Sequence, residues 1–266
     1  MRVLNQQVEM GHPSFDGFER SAYWFWERGY EVTRFQYSEL ERGDFDELLT
    51  QHADSTIVRA GVGTVLLALR RAGREAPNVV DLPNDLRTYA ARRVWESTHG
   101  QFRSEAVNSN FDPPIHVKPL VHHKLFTGLL VSKFRDLIPT AHLANDVAIL
   151  CQEKVCFRSE WRCYILRDKI LHVGFYKGDP LLFPDPVVMR QAIPVFVARP
   201  IAFALDWGVT DTGSTVLVEV NDGFSLGNYG LRGHLYTAMV EARWREMMGL
   251  PDNLVGESLT AESDEN

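Results

Sequence analysis

The sequence predicts an α/β half followed by an α+β half, and three observations carry this. Strand and helix signals alternate through the first eighty or so residues, which is the pattern of a parallel sheet flanked by helices. Further along, strands come in pairs joined by tight turns. Of the 266 residues, 45% are hydrophobic, enough for a real core in one large or two small domains.

In chain order, Val3, Leu4 and Val8 make an apolar start. Ser14 is placed to cap a helix through the aromatic stretch to Trp26, and Gly29 to stop it. YEVTRFQY reads as a strand, GDFDELLTQ as a short helix and STIVRA as another strand. GTVLLALRRAG reads as a helix between Thr64 and Gly73. Gly61 and Gly63 suit a tight strand-to-helix turn before it, and could also admit an anion at the helix start. NVVDLP closes the series as a strand, and Asp81 to Pro83 ends an N-terminal domain of residues 1–83.

A second domain follows over residues 84–250. It is expected to open with a helix from about Asn84 to Thr98 and a polar loop to Pro113 and Pro114. IHVKP is a short strand. EWRCYIL and KILHVGFYK form a pair around Arg167 and Asp168, and RPIAFALDWGV and STVLVEVN a pair around Asp-Thr-Gly. From about His234 to Met248, Tyr236, Met239, Val240, Arg243 and Met247 recur at helical spacing, and the apolar ones belong to a core. Residues 251–266 read as a disordered acidic tail.

Composition excludes several classes. A charged fraction of 24% is ordinary for a folded chain. A net charge of -7 argues against general affinity for nucleic acid, yet leaves room for local cations to hold a phosphate. Cys151, Cys156 and Cys163 are odd in number and form no CxxC pair, which speaks against a zinc site or a disulfide framework. The N-terminus lacks the apolar core of a signal peptide, and no window approaches the ~18 apolar residues that span a bilayer. The expectation is a cytoplasmic protein with no membrane partner.

The chemistry concentrates in LDWGVTDTGSTVLVEVND. Glu219 and Asn221 lie on one strand face, about 7 Å apart. A two-residue turn centred on Thr212 and Gly213 sets Asp206 opposite Glu219. Two carboxylates and an amide then converge, an oxygen set suited to Mg²⁺. A solvated strand face would also carry such residues, but the flanking Phe203, Leu205, Val216, Val218 and Val220 argue for partial burial, where acids need compensation. In EWRCYILRDKILHVGFYK, Glu160 and Arg162 share a face to which Lys177 returns. Alone, that is a plain cross-strand salt bridge; beside a metal site it becomes a triphosphate clamp. HVKPLVHHKLFTG has Lys118 at a strand end, then Lys124 in a short loop closing on Thr127 and Gly128; the spacing alone does not mark a phosphate site and equally fits two surface lysines, and His122 and His123 read as loop residues.

These pieces, in this order, resemble an ATP-grasp domain from about His116 to Leu231, and most of all the R2K branch, in which a usual arginine is replaced by lysine. The strongest motif is the acid-bearing hairpin ending VEVND, similar to the metal-binding end of D-alanine–D-alanine ligases and ribosomal-protein glutamate ligases. The resemblance implies a Rossmann-like, pre-ATP-grasp N-terminal domain ahead of the grasp. It implies that Asp206, Glu219 and Asn221 hold magnesium and that Lys118 contacts the ATP phosphates. Lys124 to Gly128 would be a mobile loop, and Glu153, Lys154 and Val155 a hinge offering backbone groups to adenine. Arg162 and Lys177 would meet the γ-phosphate and the acylphosphate, and Glu160 would lie near the ribose or the metal. A second phosphate cation would come from Arg87, Arg92 or Arg93. The loop has one glycine where many relatives have several.

The implied activity is an ATP- and Mg²⁺-dependent ligase joining a carboxylate to an amine, with small-molecule or peptide substrates and a homodimer compatible with the sequence. A phosphotransferase and a non-catalytic nucleotide-binding module are the alternatives. GFSLGNYGL is expected to line the acceptor pocket, where Asn228 and Tyr229 could contact substrate or equally serve as turn residues.

Overall fold

A computed structural model describes residues 1–78, 80–120 and 125–252. The N-terminal half runs β1 (Arg2–Gln6), α1 (Phe15–Glu27), β2 (Glu31–Phe35), α2 (Tyr37–Arg42), α3 (Asp46–Thr50), β3 (Thr56–Arg59) and α4 (Val62–Arg71). Its three strands are parallel, in the order β2-β1-β3. Val3, Leu4, Ile57 and Val58 are buried, as suits parallel strands covered on both faces. Gly43, in left-handed backbone, ends α2.

The stretch after α4 differs from expectation. Among the described residues of NVVDLP there is no strand. One backbone bond ties it to a later strand, Val220 N donating to the Asp81 carbonyl at 2.7 Å, and Pro83 can donate no ladder bond of its own. The expected helix from Asn84 to Thr98 is a 3₁₀ turn over Asn84–Ala90, broken at Ala91 (φ 47°), followed by β4 (Val94–Thr98). Val94, Trp95 and Thr98 suit a strand better than a helix. The polar loop then contains α5 (His99–Asn108), started by a capping box between Thr98 and Gln101.

Two antiparallel sheets complete the fold. One has the order β4-β7-β5-β6, with β5 (Ile115–Pro119), β6 (Leu129–Val131) and β7 (Ala148–Glu153). The other has the order β11-β10-β8-β9, with β8 (Phe157–Leu166), β9 (Lys169–Gly178), β10 (Ala202–Thr210) and β11 (Thr215–Asp222). α6 (Pro186–Val195) covers one face of this second sheet, where Met189 and Ile193 pack with Ile165, Phe203 and Trp207. α7 (Gly233–Met248) covers the other. Its Met239 and Trp244 share a core with Val3, Phe25 and Ile57 of the N-terminal half and Tyr164 and Ala204 of the sheet. Trp244 Nε1 donates to the Thr56 carbonyl at 2.9 Å. Among the described residues, no helix is long and apolar enough to cross a membrane. Most of the expected tail, from residue 253 on, lies outside the described residues.

Candidate active site

The site begins with register. Asp206 pairs with Glu219 on one side and with Arg162 on the other, so three charged residues stand abreast on β11, β10 and β8. The first pairing does not come from a simple two-residue turn. Near the turn the strands are one residue out of that register, with Gly208 opposite Val216 and Trp207 opposite Leu217. A bulge at Val218 restores it. Arg92 holds this bulge: Nη1 donates to the Leu217 carbonyl at 2.7 Å and Nη2 to the Val218 carbonyl at 2.9 Å.

Between β8 and β9, Arg167 and Asp168 take positive φ (48° and 62°), the twist a two-residue hairpin turn requires. Two single-residue shifts then bring Lys177 opposite Glu160. Two shifts of one cancel in facing, so Lys177 keeps the face its numbering implied. Lys177 Nζ pairs with Glu160 Oε1, and the Tyr176 hydroxyl donates to Glu160 Oε2 at 3.0 Å.

The centre is a charge network. Asp206 is 2% exposed, and both its oxygens accept from Arg162, Nε at 2.8 Å and Nη2 at 2.7 Å. Asn221 Nδ2 donates to Asp206 Oδ2 at 3.2 Å and to Glu219 Oε1 at 3.4 Å. Lys118 Nζ lies between Asp81 Oδ2 at 2.6 Å and Glu219 Oε2 at 3.3 Å. Burial pushes the Glu219 carboxyl up, but Lys118 and Asn221 outweigh it and hold it below its ordinary value. For Asp206, burial and the nearby Glu219 charge outweigh the pull of Arg162, and its carboxyl is raised. Burial brings Arg92 down to about 10, against the charge of Glu219.

These residues line a cleft of about 510 Å³ between the two antiparallel sheets. Lys118, Glu153, Lys154 and Val155 come from one side, with Glu160, Arg162, Lys177, Asp206 and Glu219 from the other. Asn221 joins the acids by hydrogen bonds. Thr127 and Gly128 precede β6 as exposed residues outside the cleft lining, and a side chain at 128 would stand 2.7 Å from His116 Nε2. Lys124, His122 and His123 lie outside the described residues. Of the three candidate arginines, Arg92 enters the cleft; Arg87 pairs with Glu96, and Arg93 covers the Trp95 ring.

Asp206, Glu219 and Asn221 are hard oxygen donors, and a half-turn of the Asn221 carboxamide presents its oxygen to a cation. The set fits Mg²⁺ if phosphate oxygens complete the shell. Among the described residues no group of three or more His, Cys, Asp or Glu gathers around one metal position, so the amide is needed.

Sequence reasoning passed over His116, Gln152 and Tyr176, which also line the cleft, and Asp81, taken only as a boundary marker. The alternation of β5 was a signal for His116, which shares a face with Lys118. Nothing local in the sequence pairs Asp81 with Lys118.

The sequence model of the ATP-grasp domain, R2K clade family 2, matches residues 89–239, more than half of the chain. No curated protein sequence matches it. Among solved structures, D-alanine–D-alanine ligase from Bacillus anthracis complexed with ATP aligns with a TM-score of 0.53 and 15% identity, covering 94% of this chain and 99% of that one. A RimK domain ATP-grasp protein from Sphaerobacter thermophilus aligns with a TM-score of 0.55 and 17% identity, covering 92% and 99%. At such identities the likeness is one of fold.

Proposed function

The chain belongs to the ATP-grasp domains of R2K clade family 2, and from that premise we propose that it is an ADP-forming ligase that joins a carboxylate to an amine. One observation carries this: Lys118, Arg162 and Lys177 converge with Asp206, Glu219 and Asn221 around a single cleft. A bare nucleotide binder has little use for all of them.

A carboxylate is a poor electrophile. Its oxygen attacks the γ-phosphorus of ATP; that O–P bond forms as the β–γ bridging bond breaks, and ADP leaves. The amine nitrogen then attacks the acyl carbon, loses a proton, and phosphate departs. Lys118, Arg162 and Lys177 stabilise charge on the phosphoryl group in transit. Asp206, Glu219 and Asn221 would hold Mg²⁺, which supplies charge neutralisation at the phosphate oxygens. Glu153 to Val155 offer backbone groups to adenine, and Glu160 positions Lys177.

The test is ADP release across a panel of acids and amines. Turnover should require both, and Glu219→Ala should abolish it while the variant stays folded. A stable phosphorylated product formed without an amine would indicate a phosphotransferase. Binding of Mg·ATP with no turnover on any substrate pair would indicate a binding module.

A further inference from the structure

Arg59 ends β3 and is 6% exposed, yet among the described residues no carboxylate pairs with it. Its guanidinium lies 4.7 Å from the centre of the Phe18 ring and 5.5 Å from that of Tyr236. Its one hydrogen bond among the described residues runs from Nη1 to the Ala60 carbonyl at 3.1 Å. Nε is buried without a partner. Burying a cation this way is costly unless something compensates, and two aromatic faces offset only part of that cost.

Other arginines of this chain show what is missing. Arg162, Arg167 and Arg243 each present the Nε–Nη2 edge to one carboxylate, those of Asp206, Asp252 and Asp222. Buried arginines without a carboxylate are filled by carbonyls instead. Arg92 reaches those of Ala90, Leu217 and Val218, and Arg245 those of Pro251 and Asp54. Arg59 has neither arrangement: its Nη1 is tied back, and the edge that elsewhere takes a carboxylate is left over.

Its position is also that of a ligand group. In a sheet ordered β2-β1-β3, the connection after β1 runs to one side of it and the connection after β2 crosses to the other, so the crevice between the carboxyl ends of β1 and β3 is the topological switch point. Gln6 ends β1 there, its Oε1 accepting from Gly61 N at 2.9 Å as α4 begins. The same strand end abuts the acid-bearing strand. Ser225, just beyond β11, donates to the Ala60 carbonyl at 2.9 Å, and Tyr236, which covers Arg59, donates to the Leu226 carbonyl at 2.6 Å.

We propose that Arg59 is the anchor for a carboxylate on a small-molecule ligand, taken side-on by Nε and Nη2 at the switch point beside the acid-bearing strand. That this ligand is a substrate of the ligation rests on the ligase assignment above; the carboxylate site itself does not.

The test uses the full chain labelled with ¹⁵N-arginine and follows the Nε–Hε resonances during titration with formate, the smallest carboxylate. The Arg59 signal is assigned by its absence in Arg59→Lys, which keeps the charge and the ring contacts but lacks the fork; a thermal melt of that variant checks its fold. The expected result is a saturable displacement of the Arg59 resonance by formate and none by formamide, its neutral counterpart. A signal that stays put through the millimolar range, or moves as far with chloride or formamide, overturns the proposal. No nucleotide is present, so such a failure leaves the ligase assignment standing. Conversely, a saturable formate response with no ADP release would sink the ligase assignment alone.

Discussion

At His116 burial, reinforced by Lys118 and Arg92, lowers the imidazole from 6.5 to about 4. Between those values the unfolded chain binds a proton that the folded chain does not, so stability falls as pH drops from 6.5 towards 4. The drop corresponds to at most about 3 kcal/mol, and partial solvent access reduces it to about 1–2 kcal/mol. Melting curves of His116→Gln across this range should be flatter than wild type by that amount; parallel profiles would show that His116 does not set the acid sensitivity. The two acids of the cleft separate in a different way. Asp206 is the buried partner of a guanidinium, so Asp206→Ala strands Arg162 and should lower unfolding stability by about 3–5 kcal/mol. The Glu219 side chain is 34% exposed and shares Lys118 with Asp81, so Glu219→Ala should change stability by about 1 kcal/mol or less. Denaturant titration of both variants checks the order, and a reversal would mean that Glu219, not Asp206, anchors the network.

The hairpins show how such residues come to meet. Gly174, in β9, lies against the segment after β11: a Cβ there would stand on the Tyr229 carbonyl oxygen, far inside van der Waals contact. The same segment is held by the Tyr164 hydroxyl, which donates to the Gly227 carbonyl at 2.7 Å and accepts from Tyr229 N at 2.8 Å. Tyr229 in turn covers Arg162, 5.1 Å from its ring centre. Gly174→Ala should therefore push the segment out, lower stability by about 1–3 kcal/mol, and alter the arginine Nε resonance of Arg162. An unchanged resonance would show that the segment yields without moving Tyr229. The facing of these strands was legible in the sequence because alternation survives paired shifts, as at Glu160 and Lys177. At Asp206 and Glu219 the expected pairing held although the turn differs, because a bulge that Arg92 fastens restores the register. That fastening joins residues more than a hundred positions apart, and no local pattern announces it. β4 and α5 were misassigned for a nearer reason. The helix expected from Asn84 to Thr98 passes over the β-favouring Val94, Trp95 and Thr98, and Thr98 and Gln101, three apart, already spelled the start of the next helix.

Across the whole molecule, three of the cleft's cations are already paired with acids before any nucleotide arrives. Lys118 rests on Asp81 and Glu219, Arg162 on Asp206, and Lys177 on Glu160. Bare ATP would have to draw these cations towards its phosphates and leave the acids facing the same anion, a loss on both counts in a partly desolvated cleft. With Mg²⁺ the exchange would balance, because under the proposed assignment the phosphates would take the cations while Asp206, Glu219 and Asn221 would hold the metal. Nucleotide and metal should therefore bind with strong mutual dependence, and the coupling is reciprocal by linkage. Calorimetric titration should show ATP binding at least about tenfold more tightly with Mg²⁺ than with a chelator, equivalent to about 1.4 kcal/mol. In Glu219→Gln that difference should shrink, since the neutral side chain neither repels phosphate nor attracts the metal as strongly. Equal ATP affinity with and without Mg²⁺ in the wild-type chain would mean that the internal pairs do not exchange, and that Arg162 and Lys118 serve the fold instead of the nucleotide.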